Sequence, residues 1–462
     1  MKLILLSLVF SQAMAENLTL ESYKKMVMEK DPATQAAFEK KKGAELAQDS
    51  AQLLTGVSLF ASGGYLDDQR PTTNPQFQGY QTKVSNYSLG LQQQTRLGLK
   101  WSLSQNASHT EINGANTSFL PVPNYYDVYP KIELTMPLWR NLLGSETTGD
   151  VDQMHYQAQA LAKQAEVNWI QRQNDVEAAF YKLLSEQEAY KIHQDSLERA
   201  KKILSWTELQ IKRGLLDAND VYQAKAAVAQ RQIDVVNSET SLRETARSFN
   251  SLRGVEGDQV AEKLLAPELN LNQLHLNSSD HKTRLDTLAQ KDLNLSSEAG
   301  YRSQKEKNKP NLDLTLQAYT QGRSPQYPEA QDNTFKKKDY LYVGLNFVMP
   351  LDQSKASHSR SGFAALEKSQ MLSEKARLRD QSLTWDQTVD AAQSLAQQVQ
   401  LVRELETFQR KKADAEREKL KRGRSTTFQV LSFEQDYNSI RSQRIQLELQ
   451  ARQFINSLAL FQ

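Results

Sequence analysis

The sequence predicts a mainly α-helical protein with membrane β-structure: long coiled-coil hairpins joined to strands of a transmembrane β-barrel, built as an internal two-fold repeat. Three observations predict it. Landmark segments occur twice at nearly constant spacing, and apolar residues recur every seventh position over long proline-free stretches. Between those stretches, short segments alternate apolar and polar side chains.

The duplication is clearest at two glycines. Gln210-Ile211-Lys212-Arg213-Gly214 and Lys419-Leu420-Lys421-Arg422-Gly423 stand 209 residues apart. Upstream, Leu134-Thr135-Met136-Pro137-Leu138 matches Phe347-Val348-Met349-Pro350-Leu351 at an offset of 213. This divides the chain into a first repeat over 16–253, with β segments 56–138 and a helical hairpin 147–253. The second repeat covers 254–462, with a linker and helix 254–308, β segments 310–350 and a hairpin 355–462.

The helical stretches carry heptads. Trp169, Val176, Leu183, Tyr190, Leu197, Leu204 and Ile211 recur at sevens, as do Val221, Val228, Val235, Leu242 and Phe249, and later Phe433, Ile440, Leu447, Phe454 and Phe461. A strict seven-residue period keeps one seam on a partner only when helices supercoil. At 1.5 Å per residue the arm from Thr147 to Arg213 spans ~100 Å. Gly214 and Gly423 sit where each arm turns back, since glycine accepts the left-handed conformation past a helix C-terminus. Asp217, Asn219 and Asp220 are N-cap candidates for the first return helix, as Ser425, Thr426 and Thr427 are for the second.

Strand character appears in Gly56–Ala61, Tyr87–Gln92, Leu97–Ser104, Ile132–Met136, Leu312–Gln317 and Tyr340–Phe347. Tyr65, Trp101, Tyr125, Tyr126, Tyr129, Trp139, Tyr319, Tyr340 and Tyr342 gather toward the segment ends, and polar loops such as Asp67 to Gly79 and Gln321 to Asn333 separate them. Alternation suits a soluble sandwich as well as a barrel; aromatic girdles and long loops point to the barrel.

The N-terminus reads as a signal peptide over 1–15, with Lys2, the apolar run Leu3–Phe10 and the Ala13-Met14-Ala15 cleavage pattern. After residue 15 no stretch approaches the ~20 apolar residues of a spanning helix, so any membrane passage is by barrel. A net charge of +2 argues against nucleic-acid binding. The chain has no cysteine, which excludes disulfides and thiolate chemistry. His109, His155, His193, His275, His281 and His358 lack ligand spacing, and phosphate loops and nucleophile elbows are absent. Neither an enzyme nor a cofactor or metal site is expected. Lys336-Lys337-Lys338 reads as an external loop, either plainly solvated or facing anionic lipid headgroups.

Taken in order, Leu18-Thr19-Leu20-Glu21-Ser22-Tyr23 with Asp31-Pro32, Lys309–Thr315, Val343–Leu351 and the two Lys-Arg-Gly turns resemble the TolC-like outer-membrane efflux protein family. The resemblance covers nearly the whole chain after the signal. It implies a homotrimer, four strands per protomer in a twelve-stranded barrel, and helices forming a periplasmic tunnel. It further implies a passive duct of a tripartite efflux or type I secretion system, working with a periplasmic adaptor (membrane fusion protein) and an inner-membrane pump. The docking positions it implies are Arg213, Gly214, Leu215, Arg422, Gly423 and Arg424. The aperture positions are Asp217, Asp220, Gln223, Gln429 and Ser432, with Asp217 and Asp220 either forming an acidic ring or simply capping the helix. The chain departs from the pattern in two places: Gln429 and Ser432 are neutral where family members often carry acidic residues, and there is an extra hairpin from Tyr87 to Thr110 turning at Arg96-Leu97-Gly98. Two rival readings are a periplasmic adaptor, which carries a single hairpin, and a coiled-coil adhesin or fibre, which lacks the Met-Pro-Leu strand exits.

Overall fold

The computed structural model describes residues 17–216, 218–280, 283–336 and 339–461. The predicted signal peptide, Glu16, Asp217, His281, Lys337 and Lys338 lie outside the described residues. In chain order the elements are β1 (Asn17–Thr19), α1 (Leu20–Lys30), α2 (Pro32–Leu46), β2 (Ser58–Asp68), α3 (Pro75–Gln78), β3 (Gln81–Gln94), β4 (Lys100–Asn113), β5 (Asn124–Pro137), α4 (Ser145–Lys212) and α5 (Ala218–Leu252). There follow β6 (Lys263–Leu265), α6 (Leu285–Lys307), β7 (Asn311–Thr320), β8 (Gly322–Ser324), α7 (Tyr327–Asn333), β9 (Asp339–Val348), α8 (Gln353–Lys421) and α9 (Thr427–Ser457). Two compact units cut across the sequence repeats. One holds the chain up to Gly43, Lys163–Thr287 and everything from Arg377; the other holds Ala44–Ala162 and Leu288–Ala376.

The first unit is helical. Its core joins Tyr23 and Val27 of α1 to Phe180 and Leu183 of α4 and Phe249 of α5. Tyr23 stacks on Phe249 with ring centroids 4.1 Å apart. Each such fully buried side chain contributes ~1.5–3 kcal/mol. Thr19 caps α1 by accepting from Ser22 N. Asp31 does the same for α2, accepting from Thr34 N at 2.7 Å and from Arg172 of α4 at 2.6 Å, with Pro32 opening the helix. The parallel pair β1–β6, absent from the sequence reading, seats Leu18 beside Leu264.

The heptad period is present, but the most buried rows are not always the predicted ones. On α4, Val176 and Leu183 are buried, whereas farther on Ile192, Ser196, Ala200, Ile203 and Thr207 replace the half-buried Tyr190, Leu197 and Leu204. On α9, Val430, Tyr437 and Ala451 are buried in place of Phe433, Ile440 and Leu447. A hairpin helix has more than one helical neighbour, so adjoining stripes are covered, and periodicity does not say which stripe meets which neighbour. A further seam, on α8, runs Trp385, Ala392, Val399, Glu406, Ala413 and Leu420 at intervals of seven. Its one charged member, Glu406, is met by Arg444 at 2.6 Å.

The second unit is built on an antiparallel sheet ordered β2-β3-β4-β5-β7-β9, with β8 beside β5. Every segment read as a strand falls on one, and each strand is longer than the segment; Gly56–Ala61 and Leu97–Ser104 begin too early, since β2 opens at Ser58 and Leu97–Leu99 belong to the turn before β4. The four strands per chain implied by resemblance are corrected here: the extra hairpin, β3–β4, lies inside the sheet, giving six strands in succession. It pairs along its length with β2 on one side and β5 on the other. β2, β4 and β7 start at the end of the sheet where β5 leads toward α4 and β9 toward α8. At that end the β3–β4 turn is only Thr95–Leu99, closed by Thr95 N to Leu99 O at 2.8 Å. At the other end, longer connections join β2 to β3, β4 to β5 and β7 to β9.

Candidate functional site

Two regions are candidates for function, each inside one unit. The first is the pair of hairpin tips. In both, the glycine has left-handed φ, 69° at Gly214 and 69° at Gly423. Gly214 N donates to Ile211 O and Leu215 N to Gln210 O; Gly423 N donates to Leu420 O and Arg424 N to Lys419 O. These paired bonds satisfy the last helix carbonyls in the same way twice. A Cβ added to either glycine would meet open space.

The positions predicted to dock a partner, Arg213, Gly214, Leu215, Arg422, Gly423 and Arg424, are all exposed at these tips. Of the predicted aperture positions, Asp217 lies outside the described residues, Gln223, Gln429 and Ser432 are exposed, and Asp220 is half-exposed. Asp220 and Gln429 hold the same place, the third residue of α5 and of α9. Asn219 and Asp220 are inside α5, past the capping position. In the second tip Thr426 is the cap, accepting from Gln429 N at 3.2 Å, while Ser425 donates to Glu416 at 2.6 Å and Thr427 is buried against Thr207. The hydrogen bond from Ser425, then Lys419, holds the Glu416 carboxyl below the usual range.

Sequence reasoning missed the bracing around the tips. Glu434 of α9 is buried and meets Arg199 of α4 and Arg417 of α8, both at 2.8 Å. Arg199 also donates to Asn438, which donates to Ser196. It also missed two exposed aromatics just past the tips, Tyr222 and Phe428; their signal is bulk lying off the heptad rows. Farther along, α4, α5 and α9 line an open polar cavity of about 360 Å³ that includes Glu186, His193, Asp234 and Ser238. Burial pushes the Glu186 carboxyl up and the His193 imidazole down. Among the described residues no side-chain cluster has the make-up of a metal site.

The second region is the sheet, whose register sorts its faces, because successive side chains point to opposite sides. Leu59, Leu91, Leu103 and Ile132 share one face, as do Leu134, Leu316 and Val343, and Met136, Leu314 and Leu345. This apolar band crosses all six strands, interrupted at Gln105 and Ser85. It is uncovered: Leu345 is 69% exposed, Ile132 58% and Leu89 56%. The opposite face presents Ser62, Ser88, Ser102, Asn106, Glu133, Gln317 and Asn346. Lys131 and Glu133 pair there at 2.7 Å, and across three strands Tyr319 stacks on Tyr340 and meets Tyr129 at a tilt. At the edge of the apolar band Trp101 donates its indole N–H to Gln93 at 3.0 Å, the amphipathic seating tryptophan takes at membrane interfaces.

No protein-family model and no curated protein sequence matches the chain. Solved structures do. The channel-forming protein CusC aligns with a TM-score of 0.63 at 12% identity, covering 96% of this chain and 91% of its own. The outer membrane protein VceC from Vibrio cholerae aligns at 0.61 and 14%, covering 96% and 94%. The fold is that of outer-membrane channel proteins. The Campylobacter jejuni CmeC outer membrane channel shares it, at 0.61 and 11% over 96% of this chain and 85% of its own.

Proposed function

We propose that the chain is an outer-membrane duct, a passive conduit of a tripartite efflux or type I secretion system, with its helical hairpins in the periplasm. The observation that carries this reading is the sheet: an uncovered apolar band on one face and polar side chains on the other suit a wall between hydrocarbon and water. Six strands do not close around an aqueous channel, so several copies share one barrel, and a homotrimer is the number the resemblance implies. Outer-membrane lipid meets the apolar face. A periplasmic adaptor meets the tips at Arg213, Gly214, Leu215, Arg422, Gly423 and Arg424, and an inner-membrane pump supplies energy. Asp220, Gln223, Gln429 and Ser432 line the resting aperture together with Asp217. The signal peptide is removed and the mature chain begins near Glu16. An adaptor or fibre has no use for an uncovered apolar sheet face, which disfavours both rivals. Purified protein added to a planar bilayer is expected to give discrete ion-conducting steps; a preparation that inserts but never conducts would rule out the duct.

A further inference from the structure

We propose that the assembled barrel has eighteen strands, six from each of three copies, with the β3–β4 hairpin as part of its wall. This rests on the duct reading for the number of copies, and on the sheet for everything else. β2 and β9 are the outer strands, and each leaves one edge without a partner among the described residues. Because the six strands alternate in direction, β9 of one copy meets β2 of a second copy antiparallel, as every other neighbour in the sheet does. The occupant of each free edge is therefore another copy of this chain.

Three features place the hairpin in the wall. Its outward side chains Leu89, Leu91 and Leu103 continue the apolar band between Leu59 of β2 and Ile132 of β5, with no step in register. It stands between β2 and β5, and β2 pairs along its whole length with the hairpin's first strand, β3. Its turn is short and lies at the end where barrel turns are short. There it is seated, not projecting: Gly98 has φ of 79°, and a Cβ on it would lie 2.7 Å from the Asn141 side chain. A Cβ on Gly144 would lie 1.8 Å from Arg96 O.

At a strand spacing of ~4.8 Å and a tilt of ~40°, eighteen strands give a backbone radius of ~18 Å, against ~12 Å for twelve. The cross-section is roughly doubled. The barrel of this chain is thus suited to wider cargo than a twelve-stranded one.

The chain is free of cysteine, so single-cysteine variants give a clean readout. Intact protein in membranes would carry Leu89→Cys or Leu103→Cys on the hairpin's apolar face, Ser88→Cys or Ser102→Cys on its polar face, and Val343→Cys on β9 as reference. Hydrocarbon raises a thiol's pKa, and each unit removes about tenfold of the reactive thiolate. Leu89→Cys, Leu103→Cys and Val343→Cys are expected to react with a water-soluble maleimide about tenfold or more slower than the two serine variants, with native mass giving three copies. Fast reaction at Leu89→Cys and Leu103→Cys beside a protected Val343→Cys would overturn the hairpin's place and leave the duct intact. Fast reaction at Val343→Cys as well would overturn the duct itself. A native mass of two copies would refute eighteen strands.

Discussion

Removing the carboxylate of Glu434 tests the bracing of the hairpin tips. The side chain is 6% exposed and its partner Arg199 19%, so water does little to replace the lost charge. Arg417, at 31%, is better solvated. Truncating one member of a fully buried pair costs ~3–5 kcal/mol, because the remaining charge is left uncompensated. Discounting for the partial exposure of both arginines gives ~2–3 kcal/mol for Glu434→Ala. That corresponds to a rise of roughly 30- to 150-fold in the population of locally opened tips. Native-state hydrogen exchange at residues 196–207 and 427–438 reads this directly, and the Tyr23 core serves as an internal control. Glu434→Gln, which keeps an acceptor for Arg199, should lose less. Unchanged exchange at the tips in Glu434→Ala would show that the two ion pairs do not hold α4, α8 and α9 together.

Replacing Gly214 and Gly423 by valine should cost at least ~1–2 kcal/mol each through left-handed φ alone, since nothing crowds either site; export should fall while membrane insertion stays normal, and full export from the double variant would contradict the tip assignment. Asp220→Asn should weaken block by multivalent cations in single-channel recordings, since three such carboxylates would face one axis, while Gln429→Ala and Ser432→Ala should leave it unchanged. Burial raises the Asp31 pKa, but hydrogen bonds from Thr34 and Arg172 outweigh it and hold the carboxyl below its ordinary value. Its contribution is therefore present above the unfolded pKa of ~3.9 and is lost as pH falls through the folded value. Exchange protection of α2 should drop below about pH 4 in the parent and be already low, and flatter with pH, in Asp31→Ala.

The long hairpin helices and the strands of the sheet were legible in the sequence because each obeys a local rule, whereas short elements such as β1, β6 and β8 were not. The Lys-Arg-Gly turns announce left-handed C-caps, and Leu341, Val343, Leu345 and Phe347 alternate cleanly enough to define β9. What the sequence concealed depends on neighbours. The outer half of β3, from Gln81 to Asn86, is too polar to read as a strand until Thr110 and Ile112 are seen beside it. The seam on α8 includes Ala392, Glu406 and Ala413, where small or charged residues break the apolar signal, and Glu406 makes sense only once Arg444 is opposite. Glu434 looked like one of many carboxylates on polar helix faces; its burial comes from α4, more than two hundred residues away in the chain. The tip residues were placed by a repeat offset, and that offset also puts Asp220 and Gln429 at equivalent helix positions.

The most direct test of the duct is where the chain goes and in what form. Cells producing the full chain would be fractionated on a density gradient, with the oligomer followed by electrophoresis before and after heating. The account predicts a processed chain that sediments with the outer membrane, needs detergent for release, and runs as a heat-sensitive trimer. A soluble monomer in the periplasmic fraction would contradict it.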